Sequence, residues 1–520
     1  MKIVTVAQMR QIEQRCAAMG LPPDVLMENA GRAIADALRS EADRGPVVVL
    51  VGPGNNGGDG LVAARDLHGH GKTVTICLLT TRPAADENLR KAREHAIPII
   101  DAAAGAGTLL AEALSDAAVV VDAVFGTGKL RPLGGTIAEA LVMLAAVRAE
   151  RPGLRVVAVD VPSGMDADTG AVDQLSPPAE RTLTLGFPKA GLFSFPGAER
   201  AGHVEVLDIG IPGHLADEVE LEMITSEQVR PVLPRRPLAA NKGTFGKLMV
   251  VAGSTRYVGA AYLACSGALR VGAGLVTLAV PSGLQTLMAA KLIETTYLPL
   301  PDDAPVEAAK TVRAGVKDYQ AMLVGCGLGQ SDAAVAFLQA LLLAPRRPAA
   351  PLVIDADGLN GLAKVASWWR RLPGDAILTP HPGEMARLTG LTVEEIQKQR
   401  IETARHWAGV WRKTLVLKGA YTVVAAPDRG AAVSPFANPA LASAGTGDVL
   451  AGAIAGLLAQ GLAPFEAAVA GVYLHGLAGE MAAARMGDAG VLASDLLPEL
   501  PLAIKQTKAA GGKENRAASH

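Results

Sequence analysis

From residue 47 onward, short unbroken runs of Val, Ile and Leu alternate with longer stretches whose apolar residues recur every three or four positions. The runs VVVLV (47–51), TVTICLL (73–79), AAVVVDAVF (117–125), RVVAVDV (155–161), RTLTLGF (181–187) and HVEVLDIG (203–210) predict six strands, with helices over 59–70 and 136–147. Ahead of them, Thr5 and Gln8 form a capping-box pair. Met9, Ile12, Cys16 and Met19 then recur at helical spacing until Gly20, and a second helix follows Pro22-Pro23. Strands that are apolar at every position and separated by helices belong to a parallel sheet covered on both faces.

The alternation lapses over 211–237, a stretch rich in charge and proline, and resumes at KLMVVAGS (247–254). LVTLAV (275–280), YQAMLVG (319–325), PLVIDAD (351–357), AILTP (376–380), TLVLKG (414–419) and YTVVAA (421–426) continue it. Helices are predicted over 448–462, 464–485 and 493–505. The chain therefore reads as two α/β domains, 1–215 and 238–505, joined by a linker over 216–237 and followed by a disordered polar tail over 506–520. A chain of 520 residues accommodates two large domains.

Composition narrows the function classes. Basic and acidic residues nearly cancel, 49 against 51, and aromatics are 3%, so neither a basic stripe nor a stacking platform for nucleic acid is expected. The four cysteines, Cys16, Cys77, Cys265 and Cys326, form no CxxC pair, which fits a reducing compartment. No apolar run reads as a signal peptide or a membrane span. A cytoplasmic location, small-molecule substrates and a homo-oligomer are the resulting expectations. The 57 glycines exceed the usual share of about 7% and point to tight loops suited to phosphate.

The first such loop is GPGNNGGDG (52–60), after the first strand. Gly52, Gly54 and Gly57 satisfy GxGxxG, but the second strand ends in Thr80-Thr81-Arg82 without the acid that a dinucleotide ribose requires. The loop is expected to hold phosphate and carbonyl groups without ordinary NAD binding. DAVFGTGKLRP (122–132) and DVPSG (160–164) place two further acids at strand ends, where parallel sheets bind ligands. Asn56, Asp122 and Ser163 offer hard oxygens suited to an alkali or alkaline-earth cation.

GPGNNGGDG, VDAVFGTGKLRPL and AVDVPSGMDADTG resemble, in combination, the signature segments of the NAD(P)H-hydrate epimerase family, over residues 1 to about 215. The resemblance implies a Rossmann-like three-layer αβα domain that interconverts the R and S hydrates of NADH and NADPH. It carries hydrate contacts to Asn55, Asn56, Gly57, Gly58 and Asp59, to Gly126, Thr127, Gly128, Lys129, Leu130, Arg131 and Pro132, and to Asp160. It carries a potassium site to Asn56, Asp122 and Ser163. Asp160 is expected to act as the proton carrier at C6 of the ring.

In the second half, NPALASAGTGD (438–448) opens an apolar helix. Gly445, Thr446 and Gly447 leave N–H groups for a phosphoryl group, and Asp448 stands where it can take a proton from a hydroxyl beside it. GTGD resembles the anion hole and base of the ribokinase-like superfamily, which gives an αβα fold and leaves a vitamin or sugar kinase, fused to a nucleotide-sensing domain, as the alternative. KGTFGKLMVVAGS, VGCGLGQS, VIDADGLN, TPHPGEMARL and VLKGAYTVV resemble the ADP- or ATP-dependent NAD(P)H-hydrate dehydratases, in the same order over roughly 240–500. This implies hydrate contacts at Ala260, Gly327, His381 and Asp448, and nucleotide contacts at Lys418, Gly419, Ala420, Tyr421, Thr422 and Gly447. Cys326 departs from the family, which has proline there. Asp355, Asp357 and Glu384 are candidate magnesium ligands through water. The expected activity is repair of NADHX and NADPHX, epimerisation in one domain and nucleotide-dependent dehydration of the S form in the other.

Overall fold

A computed structural model of the chain describes residues 1–128, 132–345 and 350–509. It divides into two compact units, Met1–Glu220 and the chain from Leu221 onward.

The first unit is built on seven parallel strands: β1 (Val47–Val51), β2 (Val74–Leu78), β3 (Ile99–Asp101), β4 (Val119–Ala123), β5 (Arg155–Val159), β6 (Arg181–Leu185) and β7 (His203–Leu207). They lie in the order β3-β2-β1-β4-β5-β6-β7. Alternate residues of one strand serve opposite faces. Val47, Val49 and Val51 join a core with Ile34 and Leu38 of the helix Pro23–Ala42 and Leu61 and Leu67 of the helix Asn55–Gly69. Val48 and Leu50 join another, with Leu110 of the helix Gly107–Asp116 and Leu141 of the helix Gly135–Glu150. Burial on both sides is why the strands carry no polar alternation. The strand order reverses between β1 and β4, and a crevice opens outside the carboxyl ends at such a point.

The second unit holds ten strands: β8 (Leu221–Met223), β9 (Lys247–Val251), β10 (Leu275–Pro281), β11 (Thr296–Leu300), β12 (Ala321–Val324), β13 (Leu352–Ile354), β14 (Ile377–Leu378), β15 (Thr414–Leu417), β16 (Val423–Ala426) and β17 (Gly430–Val433). Their order is β11-β10-β9-β12-β13-β14-β15-β16-β17-β8. The sheet is parallel except where β16 runs antiparallel to both β15 and β17. Leu248 and Val250 of β9 pack with the helices Val258–Arg270, Thr446–Ala459, Pro464–Met486 and Leu496–Ala509. The order reverses between β9 and β12, again placing a crevice at the carboxyl ends. Both units are thus α/β domains, each built on a wholly or mainly parallel sheet with helices packed against it. No helix among the described residues is long and apolar enough to cross a membrane.

Three expectations need correction. The segment 216–237 is more than a linker: β8 pairs with β17 at the sheet edge, and a helical turn Ser226–Val229 follows it, so the second unit begins at Leu221. The tail begins later than 506, because the last helix runs to Ala509; residues 510–520 lie outside the described residues. The first glycine loop is largely helix, since the helix predicted over 59–70 starts at Asn55. Its glycines serve close packing. A Cβ on Gly57 would lie 2.3 Å from the Gly52 carbonyl oxygen, one on Gly58 2.6 Å from Met27 Sδ, and one on Gly60 2.6 Å from Ala123.

Candidate active sites

At the first unit's crevice, the loops after β1 and β4 touch. Gly52 N–H donates to the Ala123 carbonyl at 3.1 Å, and a Cβ on Gly52 would strike the Val124 carbonyl oxygen at 1.9 Å. Asn56, in the first turn of the helix Asn55–Gly69, is buried beside Gly126, where a glycine Cβ would lie 3.3 Å from its side chain. Both Asn56 amide atoms, Oδ1 and Nδ2, are buried without a protein partner. An orphaned carboxamide of this kind is costly unless a ligand or ion completes it. Asp122 and Ser163, both fully buried, hold each other: Ser163 Oγ donates to Asp122 Oδ1 at 2.5 Å and Ser163 N–H to Oδ2 at 2.8 Å. Burial pushes the Asp122 carboxyl up, against the pull of the Ser163 bonds. Thr127 and Gly128 follow Gly126 in a tight turn, Gly128 N–H donating to Gly126 O at 2.8 Å, and Pro132 is exposed. Lys129, Leu130 and Arg131 lie outside the described residues.

Asp160 stands one residue beyond β5 at φ +67°, a conformation that a non-glycine residue holds only when its surroundings impose it. Its carboxylate is buried and ion-paired to Lys189, itself 1% exposed. Asp59 shares this environment. Burial raises its carboxyl well above the usual range, and the Asp160 charge adds to the effect. Two residues absent from the motif reading complete the site. Lys189 is visible in sequence only as a lone charge within the apolar run GFPKAGLF. Arg82, at the end of β2, donates to the carbonyls of Gly52 and Gly54 and pairs with Asp86 at 2.6 Å, so it fixes the glycine loop from below.

In the second unit, the carboxyl ends of β9, β12, β13, β14 and β15 and the start of the helix Thr446–Ala459 supply the candidate residues. A Cβ on Gly327 would lie 2.7 Å from Ala260, so these two expected contacts adjoin. Ser254 Oγ donates to the Gly327 carbonyl at 2.8 Å, tying the loop after β9 to the loop after β12. Lys418 Nζ donates to Asp355 Oδ1 at 2.5 Å and lies 3.8 Å from Glu384. Burial lowers the Lys418 ammonium, but Asp355 and Glu384 more than offset it and the net shift is upward. A Cβ on Gly447 would lie 3.4 Å from that ammonium, so the lysine faces the glycine N–H groups at the helix start. Gly419 and Thr422 close the following turn, Thr422 Oγ1 donating to Gly419 O at 2.8 Å. Tyr421 takes φ +51° there, and Ala420 is half-buried. Beneath that turn Arg400, also missed in sequence, donates to the carbonyls of Leu417 and Lys418 at 3.1 and 3.2 Å.

Asp448 is the third residue of its helix, behind Gly445 at φ +93°. Burial pushes its carboxyl up to about 6, with the Asp355 charge contributing. A base poised near neutrality suits proton abstraction. Cys326 is fully buried in the turn after β12. Its Sγ and carboxylate oxygens of Asp355 and Asp448 lie within 4.8 Å of one another, and burial, followed by the Asp448 charge, keeps the thiol protonated. His475, buried, holds the start of the same helix through a 2.9 Å bond between its Nε2 and the Thr446 carbonyl.

His381 is the N-cap of the helix Pro382–Thr389: its Nδ1 accepts from Gly383 N–H at 3.0 Å, and Glu384 returns a bond to His381 N–H at 2.8 Å. The Nε2 of the half-exposed ring lies 3.4 Å from Glu384 Oε1, so the same carboxylate holds both the backbone and the ring of His381. Each of the three candidate magnesium carboxylates already has a protein partner. Lys418 already sits between Asp355 and Glu384, and Asp357 holds the N–H of Gly329 at 2.7 Å.

The whole chain has relatives that share both units. Residues 248–502 match the family described as NAD(P)H-hydrate dehydratase, and 23–191 the YjeF-related protein N-terminus. The bifunctional NAD(P)H-hydrate repair enzyme of Moorella thermoacetica is 39% identical over 97% of this chain and 97% of its own length. That of Thermofilum pendens is 37% identical over 97% and 96%. Among solved structures, the ADP/ATP-dependent NAD(P)H-hydrate dehydratase of Bacillus subtilis is 36% identical, covers 55% of this chain and 98% of its own, and superposes with a TM-score of 0.48. With both family matches in order along one chain and relatives covered almost end to end, this protein belongs to the bifunctional NAD(P)H-hydrate repair enzymes.

Proposed function

We propose that the chain repairs hydrated nicotinamide dinucleotides, the first unit interconverting R- and S-NAD(P)HX and the second dehydrating S-NAD(P)HX to NAD(P)H at the expense of ADP or ATP. The single observation that carries the reading of the second site is the convergence of Lys418, Gly447 and Asp448 at one helix start. Hydroxide is a poor leaving group. Asp448 takes the proton of the C6 hydroxyl as its oxygen attacks the terminal phosphorus, and the nucleotide leaves as the bond to its bridging oxygen breaks. Lys418 and the Gly447 N–H meet the phosphoryl charge. Loss of a C5 proton with departure of phosphate then restores the ring double bond. Ala260, Gly327 and the half-exposed His381 border the hydrate. Gly419, Ala420, Tyr421 and Thr422 border the nucleotide. Magnesium enters on the nucleotide's phosphates, the usual way for this cation.

In the first unit, Asn55, Asn56, Gly57, Gly58 and Asp59 and the segment from Gly126 to Pro132 border the hydrate. Asp160 moves the proton. C6 carries both a hydroxyl and the ring nitrogen, so removal of the hydroxyl proton with cleavage of C6–N1 and protonation of N1 opens the ring to an aldehyde. Closure on the other face reverses each transfer and inverts C6. Asn56, Asp122 and Ser163 suit a potassium ion: their donors are hard oxygens, and Asn56 Oδ1 is buried without a partner. Such an ion would neutralise charge beside the dinucleotide. Four buried, unpaired thiols fit a reducing cytoplasm. The deciding experiment is incubation of NADHX with the protein and ADP or ATP. Recovery of absorbance at the dihydronicotinamide band is expected. A stable phosphorylated product with no recovery would instead support a small-molecule kinase.

A further inference from the structure

Lys189 is placed with unusual care for a residue outside every recognised motif. Its backbone is pinned by the N-terminal segment: Val4 N–H donates to Pro188 O at 2.9 Å and Ala190 N–H to Val4 O at 3.2 Å. Its ammonium has three acceptors, the Asp160 carboxylate, the Leu185 carbonyl at 3.0 Å and Thr184 Oγ1 at 3.4 Å. An ammonium has three protons, so none remains for a substrate. All protein donors to Asp160 converge on one oxygen. Lys189, Leu185 N–H at 3.2 Å and Thr184 Oγ1 at 3.3 Å meet Oδ1, and no described residue donates to Oδ2.

We infer that Lys189 is a positioning residue for the epimerase: it locks Asp160 by Oδ1, so that Oδ2 alone is presented to the C6 hydroxyl. The inference rests on Asp160 being the proton carrier. The other charged groups facing the pair are Asp59 on the helix Asn55–Gly69 and, on the helix Val6–Ala18, Glu13 with Arg10 beside it. Asp59 and Glu13 both have carboxyls raised chiefly by burial, so Lys189 is the cation that balances Asp160. Removing that cation leaves Oδ1 held only by Leu185 N–H and Thr184 Oγ1, and the carboxylate is no longer fixed in one orientation.

The test uses the full chain and purified R hydrate without nucleotide, with R and S separated by chromatography. Lys189→Met is expected to slow conversion at neutral pH by at least about tenfold, through kcat with KM for the hydrate little changed. Dehydration of the S hydrate stays intact. Thr184→Val, which removes the hydroxyl shared by both side chains, is expected to lower kcat the same way by less. It decides the matter if Lys189→Met does not fold. The double variant Asp160→Asn/Lys189→Met is expected to be no slower than Asp160→Asn alone. A Lys189→Met slowed through KM alone, or losses that multiply in the double variant, would overturn the role of Lys189 and leave Asp160 standing. An unimpaired Asp160→Asn would overturn the proton carrier itself, and this inference with it.

Discussion

At Asp448, a carboxylate three residues into an apolar helix is raised to about 6 by burial. As a base it works only when ionised, so dehydration is expected to fall as pH drops through about 6 and to hold above it. Asp448→Asn keeps the size and removes the base. A loss of about 10²–10⁴ in dehydration is expected, with the epimerase rate unchanged, in parallel assays of the two reactions. Asp122 sets a second residue-scale test. Asp122→Ala takes the only carboxylate from the proposed cation site and strands Ser163. Weaker hydrate binding by the epimerase and loss of any potassium stimulation are expected, read from its rate with and without the ion; an equal rate in both would reduce Asp122 to a structural role.

Among the elements, the start of the helix Thr446–Ala459 depends most on backbone shape. Gly445 has φ +93°, and a Cβ there would lie 2.5 Å from Leu263. Gly445→Ala therefore combines left-handed strain with overpacking, each on the order of 1–3 kcal/mol. A lower melting temperature and loss of dehydration are expected, by calorimetry and the absorbance assay. Glycines at this helix start and in the segment 52–60 were legible in sequence as phosphate loops, but their packing role was not. Gly57, Gly58 and Gly60 lie inside a helix because Gly52, Met27 and Ala123 approach it from other elements. The short strands β3, β8, β11 and β17 also escaped the reading. At three to five residues, and half-exposed or flanked by polar positions, they lack an unbroken apolar run.

For the molecule as a whole, each unit has its own sheet, its own cores and its own crevice. The two reactions are therefore expected to separate by mutation. Asp160→Asn, given a mixture of epimers and ADP, is expected to repair the S form promptly and then stall at the uncatalysed rate. Absorbance recovery in two phases reads this directly. Rapid complete repair would remove Asp160 from the mechanism, and loss of S repair would tie the two sites together.

What the sequence determined by itself is whatever depends on local order along the chain. The parallel αβα character follows from strands apolar at every position, and the two sites follow from glycine-rich segments at strand ends. Asp122, Asp160 and Asp448 could be named because each sits within such a segment. Only the tertiary structure decided which charges meet. Lys189 reaches Asp160 across 29 residues, Lys418 reaches Asp355 across 63, and Arg82 reaches Gly52 across 30. Such pairings depend on strand order and on side chains crossing between loops, and a lone lysine or arginine in an apolar run carries no local mark of its partner. The same holds for the candidate magnesium acids: Asp355 and Glu384 share the Lys418 ammonium, and Asp357 holds the turn at Gly329.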